Sequence, residues 1–195
     1  MRFRGAAFAL IVFAVVSAIC LRIAGAQTPA SNKQTPTQKT ATAPAGQIQA
    51  NLAQLMRGIL LPASNIIFFA QGNNPADVKP AADPSSATDP LASTYGGWTA
   101  VENSSLALSE AARLLTVPGR VCSNGRPAPV TNADWVKFVQ GLRAAGTEAY
   151  KAAQTKNEDK MLDAAGTVST ACQNCHDVYR EKTDAQGGLA SRCTK

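Results

Sequence analysis

Histidine occurs once in the 195 residues, as His176, alongside three methionines and two tryptophans. That scarcity excludes much chemistry. A closed structural zinc site takes four ligands, as a rule Cys and His. Beyond the pair Cys172 and Cys175 beside His176, the region after the leader offers only Cys122 and Cys193. There is no glycine-rich phosphate loop, no usable Ser-His-Asp set and no pair of carboxylates at a recognisable site, so enzyme function lacks support. Strand-like alternation is almost absent after the first 46 residues. Excess charge is small too. The formal net charge is +6, and removing the first 26 residues takes three arginines and no acids, leaving about +3. A balance that mild does not point to nucleic acid.

What is present begins with a leader. Arg2 and Arg4 precede an apolar run from Gly5 to about Leu21, and Ala24 and Ala26 supply the small residues of a cleavage site. This layout predicts a signal peptide over 1–26, a mature chain starting near Gln27 and a periplasmic location. An uncleaved membrane anchor is the competing reading, because the run is nearly long enough to span a bilayer. Cys20 makes a lipoprotein conceivable, but Ile19 suits a lipidation site poorly. Residues 27–46 hold Thr, Pro, Ala, Gln and Lys without aromatics, a composition that buries no core and predicts a disordered linker. The folded domain is expected over 47–195.

Within it the periodicity is helical. Ile48, Leu52, Leu55 and Ile59 recur at helical spacing with Met56 on the stripe's edge, and Pro62 should kink or end this helix before its apolar face resumes to Ala70. The stretch 72–97 holds four prolines and reads as a long loop, functional or mobile. A second helix is expected from Thr99 to Thr116. A third is capped at Thr131 or Asn132 and carries Trp135, Phe138, Val139, Leu142, Ala145 and Tyr150. A fourth starts at Asn157 and runs to about Lys182. The fold class this predicts is all-α, an antiparallel four-helix bundle.

The fourth helix contains "ACQNCHDVYR", Ala171 to Arg180. Helical geometry puts Cys172, Cys175 and His176 at i, i+3 and i+4 on one face. A flat macrocycle along that face can form two thioethers while His176 ligates its iron; C-x-x-C-H is the attachment pattern of c-type haem. The rival readings fit less well. A redox dithiol belongs at the start of a helix in a βαβ unit, and a disulfide within one helix constrains little.

With that motif late in the last of four helices, the region from Gln47 to Lys182 resembles the class II c-type cytochromes, the cytochrome c′ group and its low-spin relatives. The resemblance implies one covalent haem c near the C-terminal helix. It also implies that a basic residue four after the ligating histidine, here Arg180, lies beside the imidazole. Otherwise Arg180 is a solvated arginine at a helix end. The long loop and the extra cysteines depart from the family pattern, so partner surfaces and dimer contacts do not carry over.

The sixth iron position separates two functions. A thioether there gives a six-coordinate haem suited to electron transfer between redox protein partners. An open position gives a five-coordinate haem that binds nitric oxide or carbon monoxide, as in cytochrome c′ proper. Met161 lies 15 residues before His176, about 22 Å along one helix, and cannot face the same iron. Met56 is left. It lies about 13 Å into the first helix and His176 about 9 Å from the end of the fourth, so in an up-down bundle the levels nearly match. "QLMRG" (54–58) also looks like the segment that supplies methionine in low-spin class II cytochromes. Otherwise Met56 packs beside the haem as a core residue. Leu52, Leu55 and Ile59 are expected to wall that side. Cys122 and Cys193 are expected to pair, as leftover cysteines do in an oxidising compartment; free or intermolecular thiols are the alternative. Trp98, Trp135 and Tyr179 are expected in the core or at the haem edge; a tryptophan N–H has the chemistry to bind a propionate, but nothing in the sequence shows that it does. The chain therefore reads as an electron carrier, with a gas-binding haem protein second and a disulfide-stapled interaction domain without metal third. A homodimer is compatible with this reading, and membrane contact arises only if the leader is retained.

Overall fold

The computed structural model describes residues 48–180 and Cys193. The expected signal peptide, the linker and the end of the fourth helix at Lys182 lie outside the described residues. Four main helices are present: α1 Leu52–Phe69, α2 Trp98–Ala111, α3 Ala133–Gln154 and α4 Glu158–Tyr179. A 3₁₀ segment, Ala112–Thr116, prolongs α2 and stops ahead of Pro118, whose ring disfavours helical geometry in the preceding residue. Among the described residues the only strand-like pairing is an isolated bridge between Val121 and Pro127.

α1 begins later than the periodicity predicts. Asn51 is extended, its side chain accepts the Gln54 N–H at 2.9 Å, and the Gln54 side chain accepts the Asn51 N–H at 2.8 Å. This capping box satisfies two orphan donors and starts the helix at Leu52. Ile48 therefore precedes the helix. Pro62 neither ends nor breaks it. The helix instead widens to a π turn over Met56–Leu60, in which the Leu61 N–H reaches back to the Met56 carbonyl, and then continues as α-helix over Leu61–Phe69. The turn admits one extra residue and moves the buried stripe onto Leu60, Ala63 and Ile67. Ile59, expected on the buried face, is 37 % exposed while Leu60 is 4 % exposed.

α2 and α3 approach closely because small residues face each other. A Cβ on Gly146 would stand 2.8 Å from the Ser109 backbone nitrogen, and the Ser109 hydroxyl donates to the Arg143 carbonyl at 3.0 Å. Ala145, Ala149 and Ala153 of α3 and Val101, Leu108 and Ala112 of the α2 segment are all buried. α3 in turn packs on α4, and α1 on α2. α4 is capped as expected by Asn157, whose side chain accepts the Lys160 N–H.

The segment 72–97 is a chain of turns. Asn74, Asp83 and Asp89 each accept the N–H two residues on, at 2.9, 3.2 and 2.9 Å. Each precedes a proline that opens a short 3₁₀ turn, at Pro75–Asp77, Pro84–Ser86 and Pro90–Ala92. Proline presets φ and the Asx side chain closes the turn, while Pro75 and Leu91 anchor the loop in the core.

Residues 120–122 tie the start of α1 to the segment that follows α2. Arg120 is buried, and it donates to the Leu114 carbonyl after α2 and to the Ala50 carbonyl before α1. The Leu52 N–H donates to the Val121 carbonyl at 3.0 Å. Cys122 stands at disulfide distance from Cys193, with the Cα atoms 5.9 Å apart.

Candidate haem site

All four helices border one cavity of about 400 Å³, within the range of small-molecule and cofactor sites. Met56 and Leu52 line it from α1, and Cys172, Cys175, His176 and Arg180 line it from the C-terminal end of α4. The six residues singled out for a cofactor are thus brought to one cavity by two elements remote in sequence. Met56 is the fifth residue of α1, about 6 Å from its start, and His176 is three residues from the end of α4, about 4.5 Å. Leu108, Val139 and Leu142 supply apolar wall from α2 and α3, and Leu60 and Ser64 extend the α1 wall. Leu55 is buried in the core but is absent from the lining, and exposed Ile59 is absent too. The expected wall of Leu52, Leu55 and Ile59 is therefore corrected to Leu52, Met56, Leu60 and Ser64 with Ala53, Arg57 and Leu61 beside them. Leu55 packs into the core outside the lining, and beyond Met56 the π turn carries Ile59 away from it.

The α4 face follows from helical spacing: Cys172, Cys175 and His176 are all half-buried at the cavity. Tyr179, one turn beyond Cys175, locks this end. Its ring meets Trp135 edge-on at 4.9 Å and its hydroxyl donates to Asp134 Oδ1 at 2.8 Å. The Trp135 indole N–H is committed to the Leu115 carbonyl at 3.0 Å, so it does not turn toward a propionate. Nothing in the sequence spacing announces this Asp134–Tyr179–Trp135 cluster, whose members are more than 40 residues apart at the Tyr179 contacts.

Arg180 Nη1 lies 3.3 Å from His176 Nδ1. A guanidinium carries donors only, so as a hydrogen bond this contact needs a lone pair on Nδ1, with the proton of the neutral ring on Nε2. An imidazole that ligates a metal through Nε2 carries its proton on Nδ1 instead. Were His176 to ligate a metal through Nε2, the tautomer would exchange and Arg180 would stand beside the ring as a cation.

The thiols are held protonated. Burial raises the Cys172 pKa. Cys175 is pushed up to about 11, first by burial and then by Cys172 and the Asp134 carboxylate. Thiolate is the reactive form, so alkylation of Cys175 in protein prepared without haem attachment should be slow at pH 8. Its rate should rise about tenfold per pH unit and level off only near pH 11. A plateau near the ordinary thiol value of about 8.5 would show that burial at this position is not felt.

The residues present fit haem c. Two thiols and an imidazole lie on one face of α4, a thioether faces the same cavity from α1, and the walls between are apolar. Among the described residues the lining contains the exposed guanidiniums of Arg57 and Arg180 and no carboxylate, which suits a ligand carrying two acids. Among the described residues no three His, Cys, Asp or Glu side chains form a group able to hold a metal ion by themselves; haem iron needs only axial donors from the protein. Comparison of the chain with protein-family models, with curated proteins and with solved structures gives no match.

Proposed function

We propose that this chain is an exported, periplasmic monohaem cytochrome of the class II kind, carrying single electrons between redox partner proteins. The reading rests on one observation: Met56 of α1 and the C-x-x-C-H residues of α4 line a single, mainly apolar cavity. In this reading Cys172 and Cys175 would hold the haem through thioethers, and His176 and Met56 would supply the protein donors to its iron. Bound haem supplies a one-electron ferric/ferrous couple. The chain's own residues set its properties. A Met56 thioether ligand would raise the potential, Leu52, Leu60, Val139 and Leu142 would exclude water, and Arg57 and Arg180 would place positive charge at the edge of the site.

An antiparallel bundle agrees with the short α3–α4 link of three residues, 155–157, where Lys156 takes φ +52°. Links that short join antiparallel neighbours. The half-burial of His176 and both thiols leaves an edge of the site within reach of a partner protein.

Co-expression with a haem-attachment system tests the proposal. The wild-type chain should retain one haem through denaturing electrophoresis, and Cys172→Ser/Cys175→Ser should lose all of it. A denatured wild-type chain without haem would end the cytochrome reading.

A further inference from the structure

α1 lines the cavity with a row spaced by four, Leu52, Met56, Leu60 and Ser64, and beside it a second such row of Ala53, Arg57 and Leu61. A straight α-helix turns about 100° per residue, so such a row drifts about 40° per step and about 120° over its length. It would carry Ser64 well off the face that holds Leu52. The π turn over Met56–Leu60 cancels most of that drift, because its extra residue sets the rotation back by about 100°. The site's geometry on this side depends on the turn.

The sequence of α1 permits two registers. With the turn, Leu60, Ala63, Ile67 and Ala70 are buried. Without it, a straight helix continuing from Leu52 and Leu55 would offer Ile59, Ile66 and Phe69 to the same core. Ile59 and Ile66 match Leu60 and Ile67 in volume, exchanges a core tolerates; Phe69 in place of buried Ala70 is the one bulkier exchange, and it falls at the last turn of the helix. Pro62 decides between them. It has no N–H to return to the Gly58 carbonyl, and in an α-helix its ring would collide with that carbonyl. The turn immediately before Pro62 removes the conflict, and Gly58 lies in open space on its outer side.

We infer that Pro62, acting through the π turn, is a positioning residue that holds Met56 and Leu60 in one row toward the cofactor and so selects the six-coordinate state. The inference rests on the reading of Met56 as sixth ligand. Pro62→Ala restores the missing N–H and removes the ring, so the straight register competes and rotates Met56 relative to the wall below it.

The test uses haem-loaded wild type, Met56→Ala, Pro62→Ala, and Pro62→Ala with Ile59 deleted. It reads the far-red thioether-to-iron band, the response to carbon monoxide and the thermal midpoint. Alanine is a far better helix residue than proline, so Pro62→Ala should melt no lower than wild type. Its far-red band should nevertheless fall by at least half, with a matching fraction that binds carbon monoxide. Deleting Ile59 in that background removes the extra residue and should bring the band back. A wild type without the band, or Met56→Ala retaining it, removes the ligand assignment and the inference with it. If those two behave as expected, an unchanged band in Pro62→Ala, or a lost band that the deletion does not restore, overturns the role of Pro62 alone.

Discussion

Met56→Ala should convert a low-spin haem that ignores carbon monoxide into a high-spin haem that binds it. Met56 lines the cavity from α1 and is half-buried. Met161, the other methionine among the described residues, is fully buried in α4 and lines no part of the cavity. Alanine cannot reach an iron, and its methyl joins Leu52 and Leu60 in an apolar pocket without a donor. The far-red band should vanish. The reduction potential should fall by a measurable part of the roughly 0.8 V that axial ligation spans across haem proteins. Stability should suffer less: truncating a fully buried methionine costs about 2–5 kcal/mol, and partial burial puts Met56 at about 2 kcal/mol. Oxidised and reduced spectra with and without carbon monoxide decide the matter. A variant that still ignores carbon monoxide would make Met56 a packing residue. A wild type already high-spin and gas-binding would favour the five-coordinate function.

Breaking the Cys122–Cys193 link should cost about 4 kcal/mol. The two residues are 71 apart in sequence, and closing a loop of that size removes denatured-chain entropy worth about 4 kcal/mol in the chain-entropy account. Cys122 is 2 % and Cys193 8 % exposed, and both line the cavity. Losing the link therefore also loosens a cavity wall. Residues 120–122 hold the start of α1 and the end of α2 as well, so the loss should be felt at the Met56 side. Urea unfolding of Cys193→Ser, or of wild type under reductant, should show a midpoint lowered in proportion. Labelling of Cys122 without reductant, or a midpoint indifferent to reductant, would exclude the bridge.

Much of the helical layout was legible because its signals are local. Asn157 caps α4 by accepting the Lys160 N–H, and Pro118 stops the extension of α2. Cys172, Cys175 and His176 face one cavity because i, i+3 and i+4 always share a helix face. The loop turns were also written locally, as Asn74-Pro75, Asp83-Pro84 and Asp89-Pro90, but reading 72–97 as a featureless loop missed them. The capping box Asn51–Gln54 was missed in the same way, because Ile48 prolonged the apolar period past the true start.

Other features are not settled by any local signature. Ile59 and Leu60 are equally apolar neighbours, so which one is buried depends on whether the helix takes in an extra residue before Pro62. Pro62 biases that choice locally, but periodicity alone does not show it, because the extra residue is accommodated only as α1 packs on α2. Arg120 reads as a surface cation, yet it is buried because the Ala50 and Leu114 carbonyls converge on it. Asp134 and Tyr179 meet only once α3 lies against α4.

By itself, then, the sequence determined where the helices run and that two thiols and an imidazole share one face, since both follow from hydrogen bonding and periodicity within a few residues. Tertiary structure decided that Cys122 and Cys193 come within bonding reach, that the Trp135 N–H is spent in the core, and, together with Pro62, which α1 side chains face that site. These depend on the close approach of surfaces far apart in sequence, where one residue of helical register moves a side chain from core to solvent.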